Sequence, residues 1–126
     1  MQFPESLYSI RSESSVIGGL INHPQVLIEL SPHLSEDDFI HKVHKVIFSI
    51  LRAEILKGAK INKVLLAQKC KELGFNTFED LNLFDYVDSV SFTKINKDGI
   101  VGLAKELIKL RIKRELWNST CEAIFY

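Results

Sequence analysis

From Ser35 to Ile55 the chain reads S-E-D-D-F-I-H-K-V-H-K-V-I-F-S-I-L-R-A-E-I, with Phe39, Val43, Val46, Ile47, Ile50 and Ile55 recurring at helical spacing. Such spacing gathers apolar side chains on one face of an α-helix, whereas a strand would scatter them over both of its faces. Ser35 can accept from the free N–H groups of a first turn, and Asp38, three residues on, can answer as its reciprocal partner. Glu36 and Asp37 add negative charge at the positive end of the helix dipole. The pattern predicts one capped amphipathic helix over the whole stretch, whose apolar face other elements must cover.

The same periodicity recurs along the chain. A first helix is expected from Ser12, with Val16, Ile17, Leu20 and Ile21 on its apolar face. Asn22-His23-Pro24 ends it, because proline biases His23 away from helical geometry and suits the first turn of a new, short helix ending near Leu30. Ser31-Pro32-His33 makes the next turn. Gly58 suits a left-handed position after the long capped helix, and Asn62 can cap a helix carrying Val64, Leu65, Leu66, Ala67, Cys70 and Leu73, closed by Gly74. Thr77 and Asp80 repeat the capping spacing ahead of Leu81, Phe84, Val87, Asp88 and Val90, which outline a further helix with a mixed face; a last one runs from Asn96 to the end. Strand-like alternation is nowhere convincing. The fold predicted is all-α, about six helices: a flexible arm over 1–11, a compact helical head over 12–95 and a long C-terminal helix over 96–126.

Gly18 and Gly19 stand inside the first helix, where each costs about 1 kcal/mol relative to alanine. A phosphate loop would need a preceding strand and a following Gly-Lys-Ser or Gly-Lys-Thr, neither of which is present. Close approach of another helix backbone is the expected reason for the pair.

With 126 residues, 46% of them hydrophobic and 25% charged, the chain suits one domain with an adequate core and is not a disordered segment. Sixteen basic side chains balance sixteen acidic ones, so any affinity for nucleic acid or membrane must be local. Cys70 and Cys121 fall on different predicted helices without disulfide-framework spacing, which fits reduced, packed thiols. The first twenty residues carry no apolar leader, and no apolar run reaches the length of about eighteen that spanning a bilayer requires. A cytoplasmic protein with no membrane partner is expected.

The last helix has the most unusual pattern. Ile100, Leu103, Leu107, Leu110, Trp117, Cys121 and Ile124 alternate three- and four-residue steps, interrupted by Arg114 where an apolar residue is due. That is a coiled-coil seam with one polar position. Val101, Ala104, Ile108, Ile112 and Leu116 widen the apolar face beyond what a small head needs, so part of it should meet another chain. Leu103, Leu107, Leu110, Arg114 and Trp117 are the expected contact residues, Trp and Arg being frequent hot spots. Lys105, Lys109 and Lys113 fall at four-residue steps, with Arg111 and Arg114 nearby. They form either a solvated stripe or a basic patch for nucleic-acid phosphates or an acidic partner.

No catalytic constellation emerges. His23, His33, His41 and His44 lack the ligand spacing of a structural zinc site, and no Cys-x-x-Cys or His-Glu-x-x-His occurs. His44 is expected to be a partly buried helix residue bonded to a neighbouring loop. Glu36, Asp37 and Asp38 are explained by capping without acid-base or magnesium chemistry. No Gly-x-Ser-x-Gly elbow is present.

Five segments, E-S-S-V-I-G-G-L-I at 13–21, E-D-D-F at 36–39, H-K-V-I-F at 44–48, G-A-K-I-N at 58–62 and R-E-L at 114–116, occur in the order found in the N-terminal domain of DnaB-type replicative DNA helicases. The chain resembles that family over roughly residues 10–118. It departs from it at Asn62, where aspartate is usual, in 76–83, where a glycine pair is usual, and in 91–95, where a proline turn is usual.

The resemblance implies a helical head followed by a helical hairpin, paired domains of this kind forming a collar above a hexameric ATPase ring. The last helix would be the first arm of a truncated hairpin. The implied role is hexamer assembly and docking of primase or helicase loader in DNA replication, with self-association and only indirect contact with DNA. ATP and magnesium would belong to the motor domain, which these residues do not include, so the chain itself would carry no cofactor, metal or catalytic residue. Two other readings share the pattern: the helicase-binding domain of primase, against which the register of E-S-S-V-I-G-G-L speaks, and a stand-alone phage or plasmid regulator that binds helicase or primase.

Overall fold

A turn of 3-10 helix at Glu5–Leu7 leads into α1 (Ile10–Asn22), which starts earlier than the apolar pattern suggests because Ser9, not Ser12, is the cap: its Oγ accepts from the Ser12 N–H at 3.2 Å. The chain continues through α2 (Gln25–Leu30), a second 3-10 turn (Glu36–Asp38), α3 (Lys42–Leu56), α4 (Lys63–Glu72), strands β1 (Thr77–Phe78) and β2 (Leu81–Asn82), α5 (Leu83–Ser91) and α6 (Lys97–Phe125). This computed structural model describes the backbone of residues 3–125 and the side chains through Cys121, so the side chain of Ile124, counted in the seam, lies outside the described residues. Six α-helices among the described residues, the last of them long, make the fold all-α apart from one two-stranded hairpin.

Helix α1 is central, packed on α3, α5 and α6. Its Val16, Ile17 and Leu20 meet Phe39, Ile47, Phe48, Leu51, Val87, Ile100 and Leu107 in one fully buried core. The glycine pair is what allows this convergence. A Cβ on Gly18 would stand 2.1 Å from the Val90 carbonyl oxygen of α5, and one on Gly19 would stand 2.6 Å from Ile100 of α6. Packing is thus their role. Asn62 caps α4 by accepting from the Val64 and Leu65 N–H groups, and Gly58 and Gly74 take φ of +80° and +94° after α3 and α4.

Two expectations need correction. The stretch from Ser35 is not one helix: the Ser35–Asp38 capping box forms, but on a single 3-10 turn, and Phe39 is extended at φ −104°, ψ 133°. Phe39 leaves the helical path to bury itself against Phe48, ring centroids 5.0 Å apart. The N–H groups freed by the break, at Ile40 and His41, donate to the buried Glu13 carboxylate at 2.9 and 3.4 Å. Helix α3 then restarts with its own cap, His41 Nδ1 accepting from the Val43 N–H.

The second correction concerns Thr77 and Asp80, which cap no helix. They sit in the antiparallel hairpin, Thr77 paired with Asn82 and Phe78 with Leu81, and Asn82 caps α5 by accepting from the Asp85 N–H at 2.8 Å. Burial of Phe78 between His41 and Tyr86, at centroid distances of 4.4 and 4.2 Å, holds this strand in place.

Candidate functional site: the long helix and its clamp

Asn96 starts α6 by accepting from the Gly99 N–H at 2.7 Å, and Asp98 places negative charge in the first turn. From there Ile100, Ala104, Leu107 and Leu110 form a buried stripe that lies on α1 and α2. Leu103 is half-buried beside it. Removing such aliphatic surface from water is worth roughly 1.5–3 kcal/mol per large side chain, so the first half of α6 is fixed by the head.

Beyond Leu110 the contacts become polar. Arg114 is buried; its guanidinium donates to the Leu7 carbonyl at 2.8 Å and to the Asp37 carbonyl at 3.3 Å. Burial pushes this guanidinium below the ordinary arginine value, against the raising influence of the Glu13 and Asp38 carboxylates. Arg111, one turn earlier, donates from Nε to the fully buried Asp38 and from its terminal nitrogen to Glu115 at 2.9 Å. The hydrogen bond to Asp38 holds its guanidinium charged above the usual value. Asp38 also accepts from the Ser35 N–H at 2.8 Å, so the capping box and the long helix share one carboxylate. Trp117 closes the row, half-buried and edge-on to Phe3 at 5.5 Å.

Behind this clamp is a second polar cluster. Glu13 of α1 meets His44 Nδ1 of α3 at 2.9 Å, His44 Nε2 lies 2.5 Å from the Tyr86 hydroxyl of α5, and that hydroxyl is 3.0 Å from Ser14 Oγ. Glu13 and His44 are fully buried. His44 is therefore not bonded to a loop, as expected from sequence, but joins three helices. Burial raises the Tyr86 hydroxyl to about 12 and, together with His44, lowers His41. The identity of these residues gave no warning, because a helical Glu, His and Tyr are unremarkable until the fold brings them together across 31 and 42 residues of sequence.

The structure thus sorts the residues of the predicted interface. Leu107, Leu110 and Arg114 are engaged by this chain's own head, and Leu103 and Trp117 flank them. On the opposite face of α6, Lys105, Lys109 and Lys113 are exposed and form no ion pair among the described residues. On the same side of the helix Ile112 and Leu116 remain 45% and 64% exposed. This outer face has, among the described residues, an alkyl ridge and a basic edge. Among the described residues no three His, Cys, Asp or Glu side chains converge as metal ligands, and no helix is long and apolar enough to cross a membrane.

Residues 5–108, which take in the head and the first part of α6, match the family model described as the DnaB-like helicase N terminal domain. The chain belongs to that family. Among relatives, the replicative DNA helicase DnaB of Pasteurella multocida is 30% identical over 109 residues, covering 86% of this chain and 23% of the relative. Two replicative DNA helicases DnaB from Buchnera aphidicola, of the Acyrthosiphon pisum and Schizaphis graminum subspecies, are each 29% identical over 84 residues, covering 67% of this chain and 18% of the relative. The chain therefore spans less than a quarter of the length of these relatives. The match ends at residue 108, so the Arg111–Arg114 clamp and Leu116 lie beyond it.

Proposed function

We propose that this chain is the N-terminal collar domain of a replicative DNA helicase, acting in DNA replication by assembling copies of itself and by docking a primase or helicase loader. Family membership together with one observation supports this reading: α6 is locked in a fixed pose by Arg111 and Arg114 while Ile112 and Leu116 on its outer face stay uncovered. A rigid helix presenting bare aliphatic groups is suited to association. In the parent helicase, ATP hydrolysis with magnesium and the grip on DNA would fall to the motor, and this domain would touch DNA only indirectly. The seam residues Leu103, Leu107, Leu110, Arg114 and Trp117 contribute by setting the pose of α6, and Ile112 and Leu116 make the contact.

Sedimentation equilibrium tests this. Leu116→Asp, with Ile112→Asp as a second variant, should weaken self-association about tenfold or more, as loss of a central apolar contact does, with an unchanged helical spectrum. Association that survives both substitutions would overturn the reading.

A further inference from the structure

We propose that the outer face of α6 in one copy docks on the β-hairpin tip and the start of α5 in a second copy, a head-to-tail contact that rests on the self-association just described. The two faces are complementary in charge and alike in exposed aliphatic surface. On α6, Lys105, Lys109 and Lys113 are solvent-exposed, rise along about 12 Å of helix, and share this side of it with Ile112 and Leu116. On the hairpin, Glu79, Asp80 and Asp85 are exposed around Leu81 and Phe84, which are 42% and 46% exposed. Phe84 also rims an open groove of about 750 Å³ between α4 and α5, where Lys71 is the basic side chain of the lining.

Asp85 accepts from the Asn82 side-chain amide at 2.8 Å. Among the described residues the other charges of the two sets, Glu79, Asp80 and the three lysines, take part in no ion pair, although Glu36, Asp38, Glu54, Asp88 and Glu115 all do. The hairpin presents its acids in an unusual way. Glu79 and Asp80 occupy the turn at φ of 50° and 66°, left-handed positions that two-residue hairpins normally give to Asn and Gly. Strained turns of this kind concentrate where a side chain has work to do. The faces also lie apart within one molecule: α6 packs on α1, α2 and the N-terminal turns, whereas the hairpin packs on α5. One chain cannot bring them together, but two can, and a patch meeting a different patch propagates head to tail, closing into a ring where the rotation allows.

Nucleic acid is the other candidate for the lysines. Against it stand the two aliphatic side chains that share their face and, among the described residues, the absence of an exposed aromatic there, since single strands are gripped by stacking as well as charge.

A charge swap decides between these. Lys105→Glu/Lys109→Glu/Lys113→Glu should weaken self-association about tenfold or more at about 50 mM salt, and so should Glu79→Lys/Asp80→Lys. Because lysine is less suited than aspartate to a left-handed turn, Glu79→Gln/Asp80→Asn serves as a milder variant, expected to weaken it about threefold with the fold intact. Mixing the α6 variant with the Glu79→Lys/Asp80→Lys variant should restore assembly to within about threefold of the wild type, since each then finds its opposite charge. If Leu116→Asp dissociates the protein while both hairpin variants assemble normally, the head-to-tail contact is overturned and self-association through α6 stands. A wild-type chain that remains monomeric removes both. Salt-sensitive binding of an oligonucleotide, lost in the lysine variant while assembly is unchanged, would assign the stripe to nucleic acid and overturn the contact.

Discussion

Two charged clusters hold this molecule together, and they differ in what surrounds them. Glu13, His44 and Tyr86 lie inside the head, with Glu13 and His44 wholly removed from water, and connect α1, α3 and α5. Asp38, Arg111 and Arg114 lie at the edge, where Asp38 is fully buried but Arg111 keeps 27% of its side chain exposed, and connect α6 to two N-terminal turns. The inner cluster decides whether the head forms. The outer one decides where the long helix points, and so which of its faces is offered to a partner. Loss of a member should therefore be global in the first case and local in the second.

The largest expected effect is Glu13→Ala. It leaves the Ile40 and His41 N–H groups and the His44 ring without their shared acceptor in a dry site, a loss of about 3–5 kcal/mol. Glu13→Gln keeps an acceptor oxygen for one of these donors and should cost roughly 1–3 kcal/mol. Urea denaturation measures both. If Glu13→Ala costs no more than a surface substitution, the inner cluster is not what holds the three helices.

Asp38→Ala comes next, at about 2–3 kcal/mol, smaller because the partly exposed Arg111 can turn to Glu115 and to water. The sharper measurement is hydrogen exchange. Amides of α6 beyond Leu110 and of the 35–41 segment should lose protection while those of α4 and α5 keep theirs. Uniform loss across the head would erase the distinction between the two clusters.

These clusters also mark what the sequence could and could not reveal. Caps and stops that act within a few residues were legible: Asn62, Gly58 and Gly74 do what their types predict, and the Gly18–Gly19 pair allows close approach as expected. The break at Phe39–His41 was not, because the carboxylate that satisfies its freed N–H groups lies 27 residues upstream, and neither was the Asp38–Arg111 pair, separated by 73. The hairpin was hidden for a related reason. Glu-Asp is not a hairpin dipeptide by local preference, and the turn is held by Phe78 packing on rings from α3 and α5. In α6 the three-four spacing identified side chains that share a face but not what covers them, which is why Leu107 and Leu110 read as an interface although the chain's own head occupies them.

Between the clusters' extremes lies the Tyr86 hydroxyl, raised by burial to about 12. The unfolded chain ionises tyrosine near 10, so the unfolded state releases its proton first as pH climbs. Stability supplied by this group is complete below about pH 10 and declines as pH rises from 10 toward 12, by at most about 2 kcal/mol. Tyr86→Phe should flatten that part of the pH profile while lowering stability at neutral pH, where the hydrogen bonds to His44 and Ser14 are lost. An equal alkaline slope in wild type and variant would place the titration elsewhere.

The smallest effect is expected at the Lys63–Asp88 pair, which joins α4 to α5 at 3.1 Å with both side chains about two-fifths exposed, 41% and 43%. Lys63 also donates to Ser91 Oγ at 3.2 Å. Coulomb attraction between groups this well hydrated is largely cancelled by screening and by the entropy of holding two side chains together, so Asp88→Asn should cost no more than about 1 kcal/mol and lose even that at high salt. Like opening the Asp38–Arg111 pair, the substitution takes a carboxylate from one cation, but Asp38 is buried and also accepts from the Ser35 N–H, whereas Asp88 is well hydrated. A cost matching that of Asp38→Ala would mean that desolvation is not what separates the clamp from an ordinary surface pair, and the special standing given to Arg111 and Arg114 would go with it.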